Sequence, residues 1–356
     1  MLGIDRRAAR YTWTAALVLL LLWLVYLVRA TVFIFILALL FAYLLSPLVN
    51  FLDRVIPSRT RAPALALSYL IFVGLVVFLG IQIGSRVVEQ ATNLGKTFPQ
   101  MIANWEKPSP NASAAVNSLK QEAIEKIRTS IGARSGDLVS AAAHAGVKFL
   151  TVASDLIYVV IIPILAFFFL KDARVMRQHI LDLVEDGPRR ALLDDVLADV
   201  HLLLAHYMRA LVLLSLASFT AYSIFFSIGG VPYAILLGAL GGILEFIPML
   251  GPLTAGVTIL IVGAVSGGPV LVILIFLLAY RVFQDYVLSP HLMGQGVEVH
   301  PLLVLFGVFA GAEVAGIPGT FLSVPVLALV RIIYLRIRKS RLGSQLSPTP
   351  AGSVRL

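Results

Sequence analysis

The sequence predicts an all-α, polytopic integral membrane protein of about eight transmembrane helices, two of them broken by Gly and Pro in the C-terminal half. Three observations carry that expectation. Hydrophobic residues make up 59% of the chain and charged ones 13%, against about 45–50% and about 25% in a soluble domain. Several apolar runs exceed the roughly 18 residues that a bilayer-crossing helix needs. The basic residues gather at the ends of those runs, where they set orientation and meet headgroups. The formal net charge of +9 is therefore read as membrane topology, and no nucleic-acid partner is expected.

In chain order, Arg6, Arg7 and Arg10 precede a first span over 11–28, and no cleavable leader is expected because the apolar run outlasts one. Arg29 interrupts, and 31–49 gives a second span, forming a helical hairpin with the first. Asp53, Arg54, Arg59 and Arg61 mark a polar turn bounded by Pro57 and Pro63, and 63–84 is the third span. Residues 1–84 thus form an N-terminal block. Residues 85–147 form a hydrophilic arm of two amphipathic helices, with a turn at Trp105-Glu-Lys-Pro-Ser-Pro-Asn. In its second helix Val116, Leu119, Ala123, Ile127 and Ile131 share one face.

The next block, 148–228, holds spans over 149–170 and 207–228 around a mixed-charge connector at 171–205. The C-terminal core, 229–340, contains a span over 269–288 between two stretches too long for one straight helix. Residues 232–263 would extend to about 48 Å and 301–334 to about 50 Å, against a hydrocarbon core of about 30 Å. Each must tilt, project or break. Leu244-Glu-Phe-Ile-Pro-Met-Leu-Gly-Pro and Gly311-Ala-Glu-Val-Ala-Gly-Ile-Pro-Gly are the expected breaks. Whether these stretches are full spans or re-entrant hairpins stays open, because either count leaves both termini cytoplasmic under the positive-inside rule. Residues 341–356 read as a disordered tail.

An ionisable group beside irregular backbone at membrane depth marks a pathway by default. Glu245, with Pro248, Gly251 and Pro252, and Glu313 in the second break are therefore candidate pathway residues. The competing reading is a packing kink with a paired carboxylate. Arg281 and Asp285 are four apart on one helix face and should pair, with Gln284 beside them. Either a structural lock or a pathway element fits that pair. Arg209, at the start of the fifth span, either joins the pathway or snorkels to the interface. His300 precedes Pro301 and is a candidate proton switch, a turn-stabilising hydrogen bond being the alternative.

Other chemistries are excluded. The chain contains no cysteine, so disulfide and thiolate chemistry are absent. No phosphate-binding Gly-x-x-x-x-Gly-Lys-Ser/Thr loop, zinc-binding His-Glu-x-x-His helix or Gly-x-Ser-x-Gly elbow occurs, and the histidines lie at no usable metal-ligand spacing. The chain is not expected to be an enzyme or to hold a metal or cofactor.

Two stretches, Ile228-Gly-Gly-Val-Pro-Tyr through Glu245-Phe-Ile-Pro-Met-Leu-Gly-Pro and Arg281-Val-Phe-Gln-Asp-Tyr-Val-Leu-Ser-Pro-His-Leu-Met-Gly, resemble the autoinducer-2 exporter family of PerM-like permeases. His300-Pro-Leu-Leu-Val-Leu and Gly311 to Gly319 extend the resemblance. The family's Tyr-x-Arg-Gly-Gln pattern stands here as Tyr207-Met-Arg-Ala-Leu, so that only its tyrosine and Arg209 match. The resemblance implies an oligomeric protein of a bacterial inner membrane, a pentamer being the assembly it points to. It implies either export of a small polar solute such as a quorum-sensing signal, or exchange of sodium or lithium for protons, with H+ or Na+ as coupling ion. The expected partners are the lipid bilayer, the solute or monovalent cation, and further copies of the chain. A passive oligomeric channel and a membrane scaffold recruiting partners through 85–147 are the alternatives.

Overall fold

The computed structural model describes residues 6–56, 60–106, 121, 156–293 and 300–346, and every regular element among them is helical. The helices are α1 (Arg6–Leu27), α2 (Arg29–Val55), α3 (Ala62–Leu79), α4 (Ser85–Glu106), α5 (Leu156–Asp182), α6 (Pro188–Ile228), α7 (Ala234–Leu244), α8 (Leu250–Val265), α9 (Val270–Phe283), α10 (Ser289–Met293) and α11 (Pro301–Leu346). Single π-helical turns at Gly80–Gly84 and Gln284–Leu288 join α3 to α4 and α9 to α10.

The chain divides into two compact units. The first contains α1, α2, α3 as far as Ser68 and α5 as far as Met176. Within it α2 buries Ala38, Leu45 and Val49, Phe35 meets Phe169 of α5 edge-on at 6.1 Å, and Arg61 bridges to Asp53 across the polar turn at 3.0 Å. The second unit contains the remaining described helices and is built around α6. Gly187 at φ 143 starts that helix, with Pro188 pre-set for its first turn. At 41 residues α6 runs about 62 Å. The expected connector over 171–205 is therefore no separate element, its described residues being the end of α5, a short turn and the polar first half of α6.

After α6 the chain reverses at 229–233 and α7 returns along it. Glycines set the spacing: a Cβ on Gly238 would lie 2.9 Å from the Phe219 carbonyl, and Ser215 Oγ donates to the Gly242 carbonyl at 2.7 Å. The expected break follows at Glu245 to Met249, where Met249 takes a positive φ of 60. Gly251 tucks so closely under Leu244 that a Cβ would come 1.7 Å from its carbonyl oxygen. Helix α8 then shares a core with α7 and α9, formed by Ala234, Leu237, Ala255, Ile259 and Ile273. At 11 and 16 residues, α7 and α8 measure about 16 and 24 Å, too short to cross a bilayer singly.

The second expected break is also a reversal. Ala315 and Gly316 leave helical geometry, Gly316 at φ 63, and the limbs on either side fold together. A Cβ on Gly319 would lie 2.0 Å from the Gly311 carbonyl, and one on Gly307 would meet Leu327 at 2.7 Å. Residues 301–314 and 317–346 therefore form an antiparallel hairpin. Its second limb runs beside α6: Tyr207 Oη donates to the Phe321 carbonyl at 3.3 Å, and Arg336 grips Asp199 at 2.6 and 2.8 Å and Asp195 at 2.8 Å. The α7–α8 hairpin thus enters from the C-terminal end of α6 and the α11 hairpin from its N-terminal half, and Phe246 meets Phe321 at 6.1 Å where they approach.

Six helical stretches among the described residues are long and apolar enough to cross a membrane: Arg10–Leu27, Arg29–Val55, Ala62–Trp105, Pro188–Ile228, Val270–Leu292 and Pro301–Lys339. They fit the expected all-α polytopic membrane protein, whose fourth span, 149–170, begins outside the described residues. Of the alternatives left open for the two broken stretches, the structure shows hairpins: α7 and α8 are two short helices, and the α11 stretch folds back on itself. Apart from residue 121, the expected second helix of the arm, 116–131, lies outside the described residues, as does the tail from 347. Helix α11 continues to Leu346, six residues into the expected tail.

Adding a methyl group at the α11 reversal tests this arrangement. Gly319→Ala is expected to destabilise the detergent-solubilised protein by about 1–3 kcal/mol, the usual cost of overpacking. Gly74→Ala in α3, where a Cβ meets nothing within 4 Å, should leave thermal unfolding unchanged.

Candidate functional site

The Glu245 carboxylate stands at the turn between α7 and α8, beside the middle of α6, and only 9% of the residue is exposed. The glycine-spaced packing of α7 on α6 brings it to Ser218, whose hydroxyl donates to Oε2 at 3.2 Å. From the third side, the Gln284 amide nitrogen donates to Oε1. Gln284 is 2% exposed, continues the buried face of Leu277 and Tyr280 on α9, and opens the π-helical turn that follows. Ser218 Oγ also lies 3.1 Å from Tyr280 Oη, and the Tyr280 ring meets Tyr222 edge-on at 5.1 Å. Both oxygens of this buried carboxylate are thus met by neutral donors on two other helices.

A cavity of about 230 Å³ opens on this carboxylate. Glu245, Pro248, Met249 and Pro252 of the α7–α8 turn line one side, and Arg281, Gln284, Asp285 and Ser289 another. Tyr207, Leu211 and Leu214 of α6 and Val304 and Val324 from the two limbs of α11 close it with an apolar wall. Arg281 Nε donates to Asp285 Oδ2 at 2.8 Å, with the side chains 40% and 44% exposed. An exposed i,i+4 pair contributes only about 0.3–0.5 kcal/mol, so it orients charge at the cavity wall more than it holds helices together.

Six residues singled out in the sequence therefore converge: Glu245, Pro248, Pro252, Arg281, Gln284 and Asp285 line one space. Gly251 lies just behind the wall, buried against Leu244. The remaining three stand elsewhere. Glu313 is exposed on the first limb of α11, three residues before Gly316. Arg209 is exposed on α6, because it faces away from the side that carries the buried Tyr207, Ala210 and Leu211. His300 is exposed and its Nδ1 accepts from the Leu302 amide at 3.3 Å, the turn-stabilising role at the start of α11.

The sequence reading missed Ser218, Tyr280, Tyr207 and Ser289. A serine inside an apolar span is a weak signal, since it can also bond its own helix. Ser218 was legible only as a polar residue in the fifth span, and Tyr280 as the neighbour of Arg281 at i−4 from Gln284.

The AI-2E family transporter model matches residues 15–339. The chain belongs to the AI-2E transporter family. It is similar to YueF of Bacillus subtilis, named as a transport protein, at 26% identity over 83% of this chain and 81% of that one. The transport protein MT0215 of Mycobacterium tuberculosis is 26% identical over 91% of this chain and 88% of its own. PerM of Escherichia coli, named as a permease, is 24% identical over 83% and 84%. An AI-2E protein with these helices is an integral membrane transporter.

The donors around Glu245 should contribute unequally to stability. Gln284→Leu removes a hydrogen bond to a charged group and is expected to cost about 1.5–3 kcal/mol. The double change Arg281→Gln with Asp285→Asn should cost about 0.5 kcal/mol or less. Chemical unfolding of the purified variants checks both.

Proposed function

We propose that this protein exchanges a monovalent cation, sodium or lithium, for protons across the cytoplasmic membrane, with Glu245 as the group that binds either one. A single observation carries the reading: Glu245 is buried, faces the cavity, and is held by the neutral groups Ser218 and Gln284 while the nearby Arg281 guanidinium is taken by Asp285. A carboxylate so placed has bonding capacity left for an arriving ion, because its two oxygens offer about four lone-pair sites in all. The α7–α8 hairpin puts broken backbone at the cavity wall, the arrangement by which discontinuous helices build ion sites in transporters, and the limbs of the α11 hairpin close the opposite side. Alternating access then corresponds to one hairpin yielding while the other stays packed.

Cavity volume favours a second reading, export of a small polar solute such as a quorum-sensing signal with protons as the coupling ion. About 230 Å³ exceeds what one dehydrated ion needs, since a single water's share of liquid volume is about 30 Å³.

In both readings the termini face the cytoplasm of a bacterial cell and the chain acts as a homo-oligomer. Arg336 bound to Asp195 and Asp199 supports one part of that topology, since it holds the basic end of α11 beside the charged first half of α6.

Proteoliposomes loaded with a pH-sensitive dye test the exchange. A sodium or lithium pulse is expected to drive saturable proton movement in the wild type, reduced to background in Glu245→Gln and by about tenfold in Asp285→Asn, which frees the Arg281 guanidinium to repel an arriving cation, about 1.4 kcal/mol being a factor of ten. Wild-type rates in Glu245→Gln would remove the assignment. Non-saturating flux that ignores the gradient would identify a channel instead.

A further inference from the structure

Two hydroxyls stand in series beside Glu245, and neither Ser218 nor Tyr280 lines the cavity. Ser218 is fully buried and Tyr280 is 8% exposed. A hydroxyl has one proton to donate and two lone pairs with which to accept. When Ser218 donates to Glu245 Oε2, its contact with Tyr280 must run from the phenol to the serine oxygen. The order Tyr280 to Ser218 to Glu245 therefore fits an ionised carboxylate.

Protonating Oε2 inverts that order. The acid O–H then donates to Ser218 Oγ, the serine proton turns to the Tyr280 oxygen, and the phenol proton, no longer needed by the serine, turns away from it, so that the one donor given up lies at the outer end of the series and not at the carboxyl group. Both orders use the same three oxygens and need only rotation about C–O bonds, whereas Gln284 would have to turn its whole amide over before it could accept. A carboxyl group that changes charge inside a low-dielectric core gains from a neighbour that reverses in this way, because a partner of fixed polarity is left unpaired in one of the two states.

We infer that Ser218 and Tyr280 form a two-position hydrogen-bond switch that holds Glu245 in place in both its ionised and its protonated form. Both are positioning residues, and the inference rests on the reading of Glu245 as the group that loads a proton. The surrounding charges do not supply the same service. Arg281 and Asp285 are paired with one another at the cavity wall, and α11 brings only Val304 and Val324 to the cavity. Tyr222 on α6 packs its ring against Tyr280, as does Phe276 at 6.1 Å. The series thus ends in an apolar cluster, so protons enter and leave through the cavity and the hydroxyls rotate without conducting.

Infrared difference spectroscopy of the full chain in liposomes across a pH titration tests the switch. The carbonyl stretch of protonated Glu245 is identified by its disappearance in Glu245→Gln. Ser218→Ala and Tyr280→Phe are each expected to shift that band, and to lower proton flux by about tenfold, the equivalent of one lost hydrogen bond. Tyr280→Phe keeps the ring and its packing, so it decides the matter if Ser218→Ala fails to fold. A band present but unmoved in the variants that fold overturns the switch and leaves the role of Glu245 standing, even if flux falls. No Glu245 band at any pH overturns both.

Discussion

A carboxylate taken out of water must be met by donors that the fold holds still, and the second unit is arranged around that requirement at Glu245. An uncompensated charge in a hydrocarbon environment costs several kcal/mol. The donors come from residues remote in sequence, Ser218 on α6 and Gln284 after α9, so α6, the α7–α8 turn and α9 must all keep their places. The glycine faces serve the same end. Gly238 and Gly242 let α7 approach α6 until Ser218 reaches the carboxylate, and Gly251 lets the turn close tightly. Gln284 continues the buried face of Ile273, Leu277 and Tyr280 at helical spacing, and so carries an amide inward from the end of α9.

Irregular backbone and function coincide here for a physical reason. Reversing the chain at Glu245–Met249 and at Ala315–Gly316 frees backbone groups that lipid cannot satisfy. The first reversal is covered by α6 and borders a partly polar cavity, which is where a solute can meet a charged group. The second carries an exposed Glu313, and neither that residue nor the reversal at Ala315–Gly316 lines that cavity. Two motifs of similar composition thus differ in their surroundings: one encloses its carboxylate and the other leaves it outside. The π-helical turn at Gly80–Gly84 leads into α4, which fastens to the start of α7 through Gln90, the acceptor for the Leu236 amide at 2.9 Å, and through Thr97, 2.8 Å from Tyr233 Oη. A polar helix beyond the third span is thereby tied to the hairpin that carries Glu245.

Much of this was legible in the sequence. Composition and apolar run lengths were enough for an all-helical membrane fold, and Gly/Pro density located both breaks to within a few residues. Because proline and glycine act on their own turn, no neighbour was needed to find them. The i,i+4 spacing likewise foretold the Arg281–Asp285 pair, which a helix makes by itself. What remained hidden depends on contacts between segments far apart in the chain. Ser218 and Tyr280 look like ordinary span residues until α6 and α9 are set side by side, and Glu245 and Glu313 look alike until burial separates them. Tertiary structure alone decided that the two long stretches double back, because a local break permits a kink and a hairpin equally. Packing against α6, through glycines close enough for backbone contact, selected the hairpin and with it the carboxylate that faces a cavity.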